Sequence, residues 1–202
     1  MLFSLLIYDE PDTARLRDIH RKAHLAYLKE FDDQTLFAGP FTTDDESADL
    51  GSLRLIQFPD LGAFEKHIAD EPYVTGGIQK HWIVNRWQAA VPTTWRDCPR
   101  TPGNIQAMFH GLDGPNGARI RREHGAAHQA YLAEHAAGII ARGPLLDQTG
   151  KIPIGSLWLL DVSDMDTARR FIADEPYNRA GCFKDVTFHR WRFGRVFDRF
   201  KV

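Results

Sequence analysis

The pentapeptide Ala69-Asp70-Glu71-Pro72-Tyr73 returns unchanged as Ala173-Asp174-Glu175-Pro176-Tyr177, 104 residues further along a chain of 202. The same gapless shift brings His20 onto His124, His24 onto His128, Gly39-Pro40 onto Gly143-Pro144, Gly51-Ser52 onto Gly155-Ser156, Gly77 onto Gly181, and Arg86-Trp87 onto Arg190-Trp191. Residues 1–87 agree with residues 105–191 at 29 positions. Unrelated segments do not match at a gapless third, so the chain is read as two copies of one unit. The expected division is a first domain over 1–88, a linker over 89–103 that carries Pro92, Pro99 and Pro102, a second domain over 104–193, and a tail over 194–202.

The pattern within each copy predicts its elements. Residues 2–8 are a short, nearly continuous apolar run, which suits a buried strand, and Asp9-Glu10-Pro11-Asp12 then supplies turn chemistry. From Thr13 to Phe31 the residues Leu16, Ile19, Ala23, Tyr27, Leu28 and Phe31 recur at helical spacing. Residues 35–41 read as a short strand broken by a turn at Gly39-Pro40, and Ser52 to Phe58 as a third strand. Asp60 is the expected N-cap of a second helix that Pro72 ends, and a last strand runs from Ile78 to Trp87. The second copy repeats the order, with strands near 105–111, 139–145, 155–162 and 182–193 and helices near 116–136 and 164–174.

The order β-α-β-β-α-β is the ferredoxin-like arrangement, an antiparallel sheet with helices on one face. A bare second sheet face needs a cover, and a twin sheet supplies it. The expected fold is therefore α+β, with two ferredoxin-like domains forming a pseudo-twofold dimeric α/β barrel, and a tail extending as a strand toward the other copy.

Composition narrows the function. A formal net charge of −2 and a pI near 6.5 leave no basic footprint for nucleic acid. Cys98 and Cys182 do not correspond under the repeat, and there is no Cys-x-x-Cys, so neither a disulfide framework nor a thiolate metal site is expected. Acidic residues follow the first apolar run at once, which fits neither a signal sequence nor a membrane span, and a cytoplasmic protein is the expectation. No glycine-rich phosphate loop occurs, so no cofactor is expected.

The candidate chemistry lies in the repeated polar residues. His24 and His128 sit mid-helix, one turn after His20 and His124, with each pair about 6 Å apart on one face. Asp70-Glu71 and Asp174-Glu175 close the helix that runs beside them. An imidazole oriented by a carboxylate is the ordinary apparatus of acid–base catalysis, although the same contact also serves as a plain structural link between helices. His-x-x-x-His could instead bind a metal, but the Glu of a zinc-protease motif is replaced by Arg21 and Gly125, and no metal is expected. Gly39, Pro40, Ser52 and Tyr73, with Gly143, Pro144, Ser156 and Tyr177, are the candidate substrate contacts. Each has a structural reading too: glycine and proline shaping a hairpin bend, and tyrosine filling the core.

The ordered set of His24, Gly39-Pro40, Gly51, Glu71-Pro72-Tyr73 and Gly77, repeated as His128, Gly143-Pro144, Gly155, Glu175-Pro176-Tyr177 and Gly181, resembles the YCII-related (YciI-like) family. The resemblance implies a dimeric ferredoxin-like α/β barrel, akin in architecture to muconolactone isomerases, with a His–Asp active site. One similar branch removes chloride from a chlorinated hydroxyhydroquinone. The family commonly has Asp directly before the proline, where this chain has Glu71 and Glu175, so the acid partner is either that Glu or the Asp before it.

The expectation is a small-molecule protein, an internal pseudo-dimer whose further oligomeric state is open, with no nucleic-acid or membrane partner. Its leading reading is an enzyme of isomerase, lyase or dehydrochlorinase type acting on aromatic or small carboxylic substrates. Its catalytic candidates are His24, Asp70, Glu71, His128, Asp174 and Glu175. The alternative is a non-catalytic ligand-binding or regulatory module.

Overall fold

The structure is a computed structural model and describes residues 1–199. The first copy contains β1 (Leu2–Asp9), α1 (Ala14–Lys29), β2 (Thr35–Thr42), β3 (Asp49–Gln57), α2 (Leu61–Ala69), α3 (Pro72–Thr75) and β4 (Gln79–Trp87). The second contains β5 (Ile105–Asp113), α4 (Gly117–Glu134), β6 (Ile139–Leu146), β7 (Pro153–Val162), α5 (Met165–Asp174), α6 (Pro176–Arg179) and β8 (Phe183–Trp191), with a single 3₁₀ turn at Ala136–Gly138.

Each copy builds one antiparallel sheet. In the first, β1 pairs with β3 and β4, and β2 pairs with β3, giving the order β4-β1-β3-β2. In the second, the order is β8-β5-β7-β6 by the same pairings. The registers repeat as well: Ile7 lies opposite Ser52 and Gly111 opposite Ser156. This is the βαββαβ connection that the sequence predicts.

The two compact units are not cut where the repeat is. One comprises Met1–Arg86, Thr94–Arg96 and the described residues from Phe193 on, and the other Trp87–Thr93 and Asp97–Arg192. The expected linker is thus shared between them. In the second unit, Gln88 N donates to Pro144 O, Ala90 N to Arg142 O and the Thr93 hydroxyl to Ile140 O, so this stretch runs along β6. In the first unit, Trp95 N donates to Leu36 O, and Phe197 packs with Leu28 and Ala38. The tail was expected to extend as a strand. Over residues 193–199 it forms none and is held by Gly194 N donating to Ala38 O; residues 200–202 lie outside the described residues.

One local expectation is corrected. Residues 35–42 form one unbroken strand, and Gly39-Pro40 and Gly143-Pro144 stand inside β2 and β6 without positive φ, so they shape no hairpin bend. At Gly143 the reason for glycine is crowding: a Cβ there would lie 1.8 Å from the Gln88 carbonyl oxygen. The second helix ends as expected just before the proline, because Glu71, the residue preceding Pro72, is extended. That helix stops at Ala69, and Pro72 opens a separate turn of helix, where its missing N–H costs nothing.

The core of the first unit lies where α2 crosses β1 and β3. Phe64 and Ile68, spaced four apart, bury against Phe3, Leu5, Ile7, Ile56 and Phe58, and the Phe3 and Phe64 rings stack at 4.4 Å. Burying each such side chain contributes about 1.5–3 kcal/mol. Asp60 caps α2, accepting from Ala63 N at 2.8 Å. The second unit repeats the design with Phe109 stacked on Trp158 at 4.5 Å, over Ala168, Phe171 and Ile172.

Candidate functional site

The position of each carboxylate follows from the short helix that the proline starts. Glu71 is the N-cap of α3, with an extended backbone, and its Oε2 accepts from Tyr73 N at 3.2 Å. An N-cap side chain folds back over the first turn, so this residue turns its carboxylate inward. Oε1 is then left for His24, whose Nδ1 lies 2.5 Å away. Glu175 does the same for α6, accepting from Asn178 N at 3.0 Å with Oε2 and meeting His128 Nδ1 at 2.6 Å with Oε1. Both glutamates are fully buried. The αL residues Gly77 (φ +75) and Gly181 (φ +72) lead the chain from these turns into the last strands.

Asp70 and Asp174 are not brought to the histidines. Asp70 faces solvent and pairs with Lys66 one turn back, and Asp174 lines a separate hollow with Tyr131 and His135. Of the two acids offered by the sequence, the one directly before proline meets the imidazole.

The imidazoles are also fixed from the side. His24 stacks on Tyr73 at 3.8 Å and 3°, and His128 on Tyr177 at 3.9 Å and 15°. An arginine also lies over each tyrosine ring, Arg17 at 4.9 Å and Arg121 at 5.0 Å, a cation–π contact. Arg121 forms two 2.7 Å hydrogen bonds to Asp113 and a third to Ser156 Oγ at 3.2 Å. Arg17 pairs with Asp9 and, at 3.0 Å, with Asp49, while Gln79 links Asp9 to Ser52. These arginine–aspartate pairs were not singled out from sequence. Their signal was present, since Arg17 and Asp9 recur as Arg121 and Asp113 at the same offset.

In the second unit the predicted residues converge on one cavity of about 230 Å³. His128, Gly143, Pro144, Ser156 and Tyr177 all line it, joined by Arg121, Arg142 and Trp158. Glu175 stands behind His128. With Nδ1 engaged by the carboxylate, Nε2 is the nitrogen left for a ligand.

The two units differ beside the glutamate. Arg54, on β3, is replaced under the repeat by Trp158 on β7, and His67 by Phe171. Arg54 Nη2 lies 3.5 Å from Glu71 Oε2 and Nη1 3.4 Å from His67 Nε2. Burial pushes the Glu71 carboxyl up, but the Arg54 charge, the His24 contact and the Tyr73 amide outweigh it and bring it down to about 2. The ionised Glu71 has only acceptors, so His24 Nδ1 carries the shared proton. Burial lowers the His24 imidazole below its ordinary range, against the hydrogen bond and charge of Glu71. Burial and the Arg54 charge hold His67 down to about 3.

His20 and His24 remain a turn apart on α1, yet among the described residues no group of three or more His, Cys, Asp or Glu side chains is placed to hold a metal ion. Among the same residues no helix is long and apolar enough to cross a membrane.

The model of the YCII-related domain matches residues 1–88 and again 105–192. The chain belongs to the YCII-related domain family. A relative, an uncharacterized protein of Haemophilus influenzae, is 34% identical over 91 residues, covering 42% of this chain and 93% of its own. Among solved structures, 5-chloro-2-hydroxyhydroquinone dehydrochlorinase from Burkholderia phenoliruptrix, in complex with 2,5-dihydroxybenzoquinone, is 26% identical over 44% of this chain and 94% of that one, with a TM-score of 0.41. Chlorite dismutase from Candidatus Nitrospira defluvii is 7% identical, with a TM-score of 0.61 over 97% of this chain and 92% of that one. Likeness of this extent shows the fold class: an α+β chain of two ferredoxin-like halves, of the dimeric α/β-barrel class.

Proposed function

We propose that this YCII-family chain is a small-molecule enzyme that works by acid–base chemistry at the His128–Glu175 pair, with His24–Glu71 as its counterpart in the first unit. The observation that carries the reading is an imidazole whose Nδ1 is held at 2.6 Å by a fully buried carboxylate while the ring lines a cavity of about 230 Å³. A carboxylate at Nδ1 fixes the tautomer and leaves Nε2 able to take a proton from a bound substrate, and it stabilises the imidazolium that results. Such a group suits abstraction of a proton next to a carbonyl or from a phenol, followed by isomerisation or by loss of a leaving group on the neighbouring carbon. The tyrosine stack, with an arginine over the same tyrosine, keeps the ring from turning.

The test is turnover of a panel of small keto acids and halogenated hydroxyquinols by the wild type and by the His24→Gln and His128→Gln variants. Loss of about 10²-fold or more in His128→Gln is the expected result. A substrate that is turned over equally by the wild type and the double variant would remove the imidazoles from the mechanism. Unchanged ligand affinity in a protein with no turnover would favour the binding module instead.

A further inference from the structure

The cavity of the second unit carries an unbalanced charge. Two of the residues lining it are arginines, and none is Asp or Glu. Arg121 is matched, because both oxygens of Asp113 hold it. Arg142 is not: on β6 its backbone carbonyl accepts from Ala90 N, but among the described residues its guanidinium has neither an ion pair nor a hydrogen-bond partner. Glu175 is turned to His128 and the Asn178 amide and is not part of the lining. A partly enclosed guanidinium facing no anion of its own is a recognition element, since a planar fork of donors matches a carboxylate or similar oxyanion.

Apart from Gln129 and Ser156, the remaining walls are apolar. Trp158, Pro144, Pro153 and Tyr177 surround the space that His128 and Arg142 share. We infer that the second unit binds a small planar organic anion, its oxyanion on Arg142 and its ring or conjugated body against Trp158, with His128 Nε2 reaching the reacting end. This rests on the acid–base reading for the role of His128, while the anion site itself does not. The feature belongs to the second unit alone: the repeat places Ala38 where Arg142 stands, and Arg54, the added cation of the first unit, already faces Glu71.

The test is an NMR titration of the amide spectrum of the full chain with benzoate and, separately, with its neutral isostere benzamide. Benzoate is expected to occupy one site per chain, shifting Gly143, Ser156 and Tyr177, and to bind about tenfold or more tightly than benzamide. Arg142→Ala and Arg142→Gln should erase the preference while leaving the rest of the spectrum folded, and Arg142→Lys should keep part of it. His128→Gln should keep the preference, so the anion site stands even where turnover fails. Equal binding of benzoate and benzamide, undiminished benzoate binding by Arg142→Ala, or two equivalent sites per chain would each overturn the inference.

Discussion

Arg54 lies 3.5 Å from Glu71 with both side chains out of water, at 3% and 0% exposure, while the repeat partner of Arg54 is the indole of Trp158. One copy thus has a buried cation beside its glutamate, and the other has an indole at the corresponding position.

That relationship makes Arg54 costly to remove. Arg54→Met leaves the Glu71 carboxylate buried beside an apolar chain, and breaking a buried pair from one side costs about 3–5 kcal/mol. Urea unfolding should show this loss, and NMR should show the Glu71 carboxyl titrating above its present value of about 2. An unchanged midpoint would mean that Arg54 does not compensate Glu71.

Glu71→Gln should lower the His24 pKa further, because the Glu71 hydrogen bond and charge are what hold it up against burial. Asp70→Asn should leave it almost where it is, as Asp70 faces Lys66 instead. The His24 ring protons report both outcomes in one titration series, and a larger response to Asp70→Asn would reverse the assignment of the acid.

Stability should fall on acidification, and His67 and Glu71 both contribute. His67 is held down to about 3 from 6.5, so below pH 6.5 the unfolded chain takes up a proton that the folded chain refuses. Its contribution is complete above pH 6.5 and is lost as pH falls toward 3, at no more than about 1.4 kcal/mol per pH unit. Glu71, lowered from 4.5 to about 2, adds stability that is complete above pH 4.5 and lost as pH falls through that window. His67→Phe, which copies Phe171, should flatten the slope between pH 6.5 and 4.5 in denaturant titrations, leaving the shares of His24, which burial lowers, and of His110, which burial holds down to about 4.

The glycines separate crowding from strain. Gly77→Ala meets nothing within 4 Å and pays only for φ +75, about 1–2 kcal/mol. Gly143→Ala drives a methyl against the Gln88 carbonyl and should cost more, with the Trp87–Thr93 segment loosening first. Hydrogen exchange at Gln88 and Ala90, whose amides bond to β6, distinguishes the two variants.

What the sequence determined by itself is what local pattern and self-comparison can carry. The 104-residue offset gave two units, periodicity gave the order of strands and helices, and the recurrence of His24, Gly39-Pro40, Ser52 and Tyr73 marked residues whose second copies line one cavity. Tertiary structure decided the rest, because it depends on directions and distant partners that composition does not encode. Glu71 meets His24 and Asp70 does not because one is an N-cap turned over its own helix and the other closes the preceding one. Gly39-Pro40 lies inside a strand because the pairing of β2 with β3 overrides the turn preference of the dipeptide. The arginine over each tyrosine, the stretch along β6 and the unmatched charge of Arg142 arise only when segments far apart in the chain pack together.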